Sequence, residues 1–142
     1  MVTIIAVLLI SIFSLLASIH FYWAFGGKRW NDSVIPTKKN NAQARMPGII
    51  TTLIVAFGLL GFGLVVLLNI IDFKRSLLLE SVQLYGLWLI ASIFILRAIG
   101  EFKYIGFFKK IDQTKFGKND TRYYSPLCLL IGLLAILLKL LT

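Results

Sequence analysis

Arg97 and Glu101 are the two residues whose types and spacing most readily suggest chemistry. They lie four residues apart in an apolar stretch, so they share a face if that stretch is helical. A charge in apolar surroundings is expensive and by default indicates function. In a functional interpretation, Arg97 binds an anionic group while Glu101 orients it or moves a proton. In a structural interpretation, the charges hold this helix to its neighbours, or Arg97 extends to the aqueous interface.

His20 is the single histidine of the chain. Because its ring titrates near neutral pH, it is a candidate for acid–base catalysis together with Glu101. The three residues that follow it are aromatic, and a histidine in such company is also typical of an interfacial aromatic belt. With one histidine and one cysteine there is no dense set of ligands, so we expect no metal and no cofactor.

Several basic and aromatic residues near predicted helix ends form a candidate anion-binding or lipid-binding set. Pro47 and the Ser125-Pro126 pair are typical of helix starts, with Ser125 as the cap. Helix N-termini favour anions, so a lipid phosphate or another phosphorylated amphiphile is the expected ligand. The candidates are Arg97, Lys103, Arg122, Arg45, Tyr104, Tyr123 and Tyr124. General attraction to anionic lipids accounts for the other basic residues, namely Lys28, Arg29, Lys38, Lys39, Lys109 and Lys110.

The composition places these residues in a membrane protein. Of the 142 residues, 58% are hydrophobic and 15% are charged, and the mean hydropathy is +0.87. A small soluble domain has too little interior for so many apolar side chains, and disorder requires low hydrophobicity. The single Cys128 excludes a disulfide-stapled secreted domain.

Four continuous apolar runs predict one transmembrane domain over residues 1–142, with spans at about 2–24, 47–71, 81–102 and 124–141. Each approaches the roughly 20 residues that cross a bilayer as a helix. The runs do not alternate, so helices are favoured over barrel strands. Small residues at heptad-like spacing predict the contact faces of a four-helix bundle. These residues are Ser11, Ser14 and Ser18, then Thr51, Gly58 and Gly61, and finally Ser125, Cys128, Gly132, Ala135 and Lys139.

The distribution of charge predicts the orientation. The net charge is +9, and only three of the 15 Lys and Arg lie outside two segments, residues 26–46 and 97–122. The exceptions are Lys74, Arg75 and Lys139. Short basic loops remain cytoplasmic, so both termini are predicted outside and the two basic loops inside. This topology also explains the basic composition without a nucleic-acid partner.

Two short strings match the pattern of glycosylation acceptors, Asn31-Asp32-Ser33 and Asn119-Asp120-Thr121. Both fall on the predicted cytoplasmic side, where that modification does not occur. Their plainer role is local turn or cap chemistry, because Asn, Asp, Ser and Thr bind nearby backbone groups.

The second half of the chain resembles a known family. The strings are Glu101 to Lys110 (EFKYIGFFKK), Phe116-Gly117 and Asp120 to Cys128 (DTRYYSPLC), and His20 to Ala24 (HFYWA) is similar to the end of that family's first helix. The family is the bacterial membrane family catalogued as domain of unknown function thirty-nine ninety-five. The resemblance covers nearly the whole chain and implies a four-helix inner-membrane protein. It implies no reaction and no catalytic residues.

Three classes of function stay open. The favoured one is a non-enzymatic membrane protein whose cytoplasmic face binds an anionic lipid headgroup or a protein partner. The second is a membrane enzyme acting on a lipid-linked or amphiphilic phosphorylated substrate, with His20 and Glu101 as acid–base groups. The third is a transporter, for which four helices would require a homo-oligomer.

Overall fold

The fold is helical throughout the part of the chain that the structure describes, which is residues 1–29, 35, 47–71, 77–111 and 113–142 of a computed structural model. No β-strand occurs within those residues. The elements are α1 (Val2–Ala24), α2 (Ile49–Ile70), α3 (Leu77–Ile99), α4 (Lys115–Asn119), a π-helical turn (Asp120–Tyr124) and α5 (Ser125–Leu141).

Four helices are long and apolar enough to cross a membrane, as predicted. They are Val2–Ala24, Ile49–Ile70, Leu79–Ile99 and Lys115–Leu141. The third helix ends three residues before its predicted end. Gly100 follows it with a φ of +85°, a left-handed conformation that ends helices and that glycine adopts without penalty. The span predicted from hydropathy extended to Phe102, because hydropathy contains no information about the backbone conformation at Gly100.

The last helix begins earlier than predicted, and Ser125 is not its cap. The helical path starts at Lys115, and the side chain of Thr114 caps it by accepting a hydrogen bond of 3.0 Å from the Gly117 amide. The path then continues through the π-helical turn into α5. Pro126 has no N–H, and its ring would clash with a carbonyl four residues earlier in a regular helix. The wider π turn just before Pro126 accommodates both effects.

The helices pack as two antiparallel pairs, α1 with α2 and α3 with α5. Phe13, Phe62 and Phe94 join the pairs near the middle, with ring centroids 5.6–6.0 Å apart. We call these residues the aromatic triad. We call one end of the bundle the basic end, and it contains the helix ends at Ala24, Ile49, Ile99 and Ser125. The opposite end contains the helix ends at Val2, Ile70, Leu77 and Leu141.

The predicted contact faces hold for one helix and fail for two. On α5, Ser125, Gly132 and Ala135 are buried. On α1 the predicted serines are all exposed, and Ser11 and Ser18 donate to carbonyls of their own helix. On α2 the predicted Thr51, Gly58 and Gly61 are exposed as well. These two helices instead bury aliphatic and aromatic side chains, which include Ala6, Leu9, Phe13, Ala17, Ala56, Leu59 and Val66.

Candidate functional site: a buried charge cluster beside a cavity

A fully buried carboxylate, Asp120, lies at the centre of a charged cluster at the basic end. Its Oδ1 accepts a hydrogen bond of 2.9 Å from Arg97 Nη2 of α3. Its Oδ2 accepts from the Gly106 amide at 2.8 Å, from Lys109 Nζ at 3.1 Å and from Ser125 Oγ at 3.1 Å. These four donors satisfy both oxygens of the carboxylate. The cluster therefore ties α3, the following loop and the start of α5 together.

Lys109 is part of this cluster rather than of the lipid-facing surface. Its side chain is 1% exposed, and its Nζ also donates to the Gly106 carbonyl at 3.0 Å and to the Thr121 hydroxyl. The expectation that Lys109 serves general attraction to anionic lipids is therefore wrong. Lys110, its neighbour in sequence, is exposed.

Two glycines shape the loop that carries the Gly106 amide to Asp120. Gly100 and Gly106 have φ angles of +85° and +90°. The backbone passes so close between them that a Cβ at Gly106 would overlap the Ile99 carbonyl, and a Cβ at Gly100 would overlap the Ile105 carbonyl. Only glycine fits both requirements.

Arg97 pairs with Asp120 and not with Glu101. The helical spacing that would place Arg97 and Glu101 on one face does not apply, because α3 ends at Ile99. Glu101 is exposed and forms no ion pair within the described residues. One part of the structural interpretation is thus correct: Arg97 holds α3 to a neighbouring element, through an acid that the sequence interpretation had not paired with it.

Beside the cluster lies a cavity of about 770 Å³ between the two helix pairs. Such a volume is within the range of ligand sites, roughly 300–1,000 Å³. Its walls are mostly apolar and include Leu16, Leu59, Ile93, Leu127 and Ile131. Phe62 and Phe94 of the aromatic triad lie at its inner end. Its outer end lies at the basic end, beside Tyr123 and Asn119.

Arg97 is the one Lys or Arg among the described residues of the cavity wall. Its side chain is 31% exposed, yet its Nη1 is buried and has no hydrogen-bond partner among the described residues. A buried donor without an acceptor is costly, since hydrogen bonds to charged groups are worth about 1.5–3 kcal/mol. Among the residues that the structure describes, the cluster holds one carboxylate against two cations, so those residues carry one excess positive charge.

His20 also lies on the cavity wall. Its Nδ1 lies 2.7 Å from the Leu16 carbonyl, which requires the proton on Nδ1. In the neutral ring Nε2 is then an acceptor. The ring also packs edge-on against Trp23, with centroids 5.2 Å apart. Trp23 itself donates to the Arg29 carbonyl at 3.0 Å. His20 therefore has one feature of each interpretation, since it lines a cavity and packs against an aromatic ring.

The structure separates the other predicted ligand-binding residues into two groups. Tyr123 and Tyr124 line the cavity. Lys103 and Arg122 are exposed and lie over the rings of Tyr104 and Tyr123, each at 5.3 Å from the ring centroid. Neither cation lines the cavity, and neither does Tyr104. Arg45, Lys38 and Lys39 lie outside the described residues.

Sequence reasoning missed Asp120, Lys109 and Gly106. A usable signal was present for Asp120, because it is the only acidic residue between Lys115 and Leu141, and a lone carboxylate near a membrane helix ordinarily has a cationic partner. Asp120 was instead interpreted as turn chemistry within an apparent glycosylation motif. The other motif, Asn31-Asp32-Ser33, lies outside the described residues.

Four apolar helices with ionised side chains at one end define a multi-pass helical membrane protein. The chain belongs to the family described as "Protein of unknown function (DUF3995)", whose sequence profile matches residues 13–135. The matched region contains Arg97, Lys109 and Asp120 and most of the cavity wall. The family resemblance noted in the sequence is therefore confirmed. No curated protein and no solved structure is significantly similar to the chain.

Proposed function

We propose that this protein binds one anionic amphiphile, with its charged head at Arg97 and its apolar part in the cavity between the helix pairs. The observation that carries the proposal is the part-exposed side chain of Arg97 on the wall of a largely apolar cavity, in a cluster whose described residues hold two cations and one carboxylate. A phosphate or carboxylate oxygen is the acceptor that a guanidinium binds best.

The cluster makes Arg97 a fixed donor rather than a mobile one. Its Nη2 is held by Asp120, which is itself held by Gly106, Lys109 and Ser125. A donor fixed before the ligand arrives loses little conformational freedom on binding. The net positive charge of the cluster favours an anion over a neutral or zwitterionic ligand.

The remaining walls fit the apolar part of such a ligand. Leu16, Leu59, Leu127 and Ile131 provide aliphatic surface, and Phe62 and Phe94 close the inner end. At the outer end, Tyr123 and Tyr124 supply phenol groups at the level of the charged head. This combination of a few polar groups and an apolar body is common in lipid sites.

We also propose that the basic end faces the cytoplasm and that the membrane is the bacterial inner membrane. The support is the position of Lys28, Arg29, Lys103, Lys110 and Arg122 at that end, which follows the positive-inside rule. Anionic headgroups in the cytoplasmic leaflet would then lie next to Arg97.

A catalytic role has less support than the sequence analysis gave it, because the two acid–base candidates lie apart. His20 lies on the cavity wall, whereas Glu101 is exposed and lies outside it, so the two groups do not share one site in this structure. We therefore propose binding rather than turnover.

The test is competition between lipids of different charge. The purified protein is mixed in detergent with equal phosphatidylglycerol and phosphatidylcholine, and bound lipid is counted by native mass spectrometry. We expect one phosphatidylglycerol per chain. Arg97→Gln should lower its affinity by about tenfold to a hundredfold, the loss of one charge-assisted hydrogen bond of about 1.5–3 kcal/mol.

Two variants separate ligand loss from general damage. Lys109→Gln weakens the same cluster and removes its excess positive charge without touching the cavity, so it should unfold more easily and should lose less affinity for phosphatidylglycerol than Arg97→Gln. Arg122→Gln removes an exposed cation outside the cavity and should bind normally. Equal retention by Arg97→Gln and the unmodified protein would reject the proposal, as would equal binding of the two lipids.

A further inference from the structure

The geometry points to a lateral opening between α2 and α3, through which the ligand enters the cavity directly from the surrounding lipid leaflet. This inference rests on the proposed function and adds the source of the ligand to it: a membrane lipid rather than a water-soluble anion.

The first observation is that α2 and α3 touch closely near the opposite end. A Cβ at Gly86 of α3 would lie 2.5 Å from Val65 Cγ1 of α2, so the two helices are in contact there. Gln83 Nε2 donates across the same interface to the Leu68 carbonyl at 2.7 Å and to the Ile71 carbonyl at 3.3 Å. These contacts fix the helices to each other at this level.

The second observation is that the same two helices separate toward the basic end. Val55 of α2 and Ile93 of α3 both line the cavity, yet they are 43% and 41% exposed. Gly58, one turn along α2 from Val55, also lines the cavity and is exposed. A Cβ added at Gly58 would meet no atom within 4 Å. A residue that is both exposed and on the cavity wall lies at a mouth of the cavity.

The chemistry of this mouth fits lipid and not water. Val55, Gly58 and Ile93 carry no polar side-chain group, and they lie within helices long enough to cross a membrane. An acyl chain can pass between them without leaving an apolar environment. The charged head then stays at the level of Arg97, near the basic end.

The test measures exchange rather than affinity. Protein carrying phosphatidylglycerol is mixed with an excess of deuterated phosphatidylglycerol, and native mass spectrometry follows the replacement over time. Gly58→Leu should slow exchange at least about tenfold by narrowing the opening. The rate is taken only from protein that carries lipid at the start, so a change in occupancy does not alter it. The matched control is Gly61→Leu on the same helix. Gly61 is also exposed with no atom within 4 Å of an added Cβ, but it does not line the cavity.

Each alternative result overturns the lateral route. Equal rates in Gly58→Leu, Gly61→Leu and the unmodified protein would exclude it, and so would equal slowing in both variants. Lost occupancy without slower exchange would make Gly58 part of the wall only. Slowing in Tyr123→Trp with normal exchange in Gly58→Leu would place entry at the aqueous end. In all these cases the unmodified protein would still bind phosphatidylglycerol through Arg97. The proposed function is rejected by different results, which are retention of the lipid by Arg97→Gln or equal binding of the two lipids.

Discussion

The two helix pairs are held together by different forces. The contact of α1 with α2 is apolar, and the polar residues of α1 donate to their own helix or face outward. The contact of α3 with α5 combines a close approach at Gly132 with polar links at both ends. Arg97 binds Asp120 at the basic end, and Lys139 Nζ donates to the Gln83 carbonyl at 3.0 Å near the opposite end.

This difference assigns separate roles to the two pairs. Hydrogen bonds and an ion pair between α3 and the start of the last helix hold the Arg97 side chain in one position. Van der Waals packing between α1 and α2 holds the two helices together but positions no charged side chain. The cavity lies where the two pairs meet. Its anchoring cation comes from α3, and α1 and α2 contribute apolar wall together with His20. Lys139 contributes to the contact between α3 and α5.

The largest expected effect is at Asp120. Asp120→Ala leaves two cations of the cluster unpaired in buried surroundings, so the free energy of unfolding should fall by about 3–5 kcal/mol. The measurement is thermal unfolding in detergent, followed by circular dichroism. Asp120→Asn keeps the shape and can still accept from the Gly106 amide, so it should lose less. An unchanged transition in Asp120→Ala would mean that the cluster does not hold α3 to α5.

An intermediate effect is expected where α3 and α5 approach most closely. A Cβ at Gly132 would lie 2.6 Å from Ile95 Cγ1 and 3.3 Å from the Ala91 carbonyl, so Gly132→Ala should destabilise by about 1–3 kcal/mol through overpacking. Gly63 is the matched glycine on α2, because its added Cβ would meet only Phe13 Cβ, at an ordinary 3.8 Å. Gly63→Ala should not destabilise. Equal losses in the two variants would remove the distinction between the helix pairs.

The smallest effect separates two serines. Ser125 is buried and donates to Asp120, so Ser125→Ala should cost about 1 kcal/mol. Ser18 is exposed and donates only to the Ser14 carbonyl of its own helix at 2.8 Å, so Ser18→Ala should change stability by less than about 0.5 kcal/mol. Chemical denaturation in mixed micelles resolves this difference. A larger loss at Ser18 would indicate that α1 uses its serines in a contact beyond the single chain.

The helices were predictable because hydrophobic runs of this length have few alternatives in a bilayer. The first span was predicted at the bounds the structure has, Val2–Ala24. Prediction failed where backbone conformation, rather than hydropathy, decides the boundary. Gly100 ends α3 early, and the π turn before Pro126 lets the last helix start at Lys115.

The site was only half predictable for a related reason. Arg97 was recognisable as a charge in an apolar helix, but its partner lies 23 residues away in sequence. The four-residue spacing predicted Glu101 as the partner of Arg97. That pairing requires α3 to continue past Ile99. The contact faces predicted for α1 and α2 are wrong because the prediction rested on serines, Thr51 and glycines. Those helices pack through alanines and larger apolar side chains on other faces, and Ser11 and Ser18 donate to carbonyls of their own helix.

The aromatic triad determines whether a bound lipid can pass from one leaflet of the membrane to the other. Phe13, Phe62 and Phe94 come from three different helices and stand across the space beyond the cavity's inner end. A molecule held beside Arg97 would have to part those rings to reach the far leaflet. As long as the three rings stay in contact, the cavity is closed at that end. A lipid that enters from one leaflet must then leave into the same leaflet.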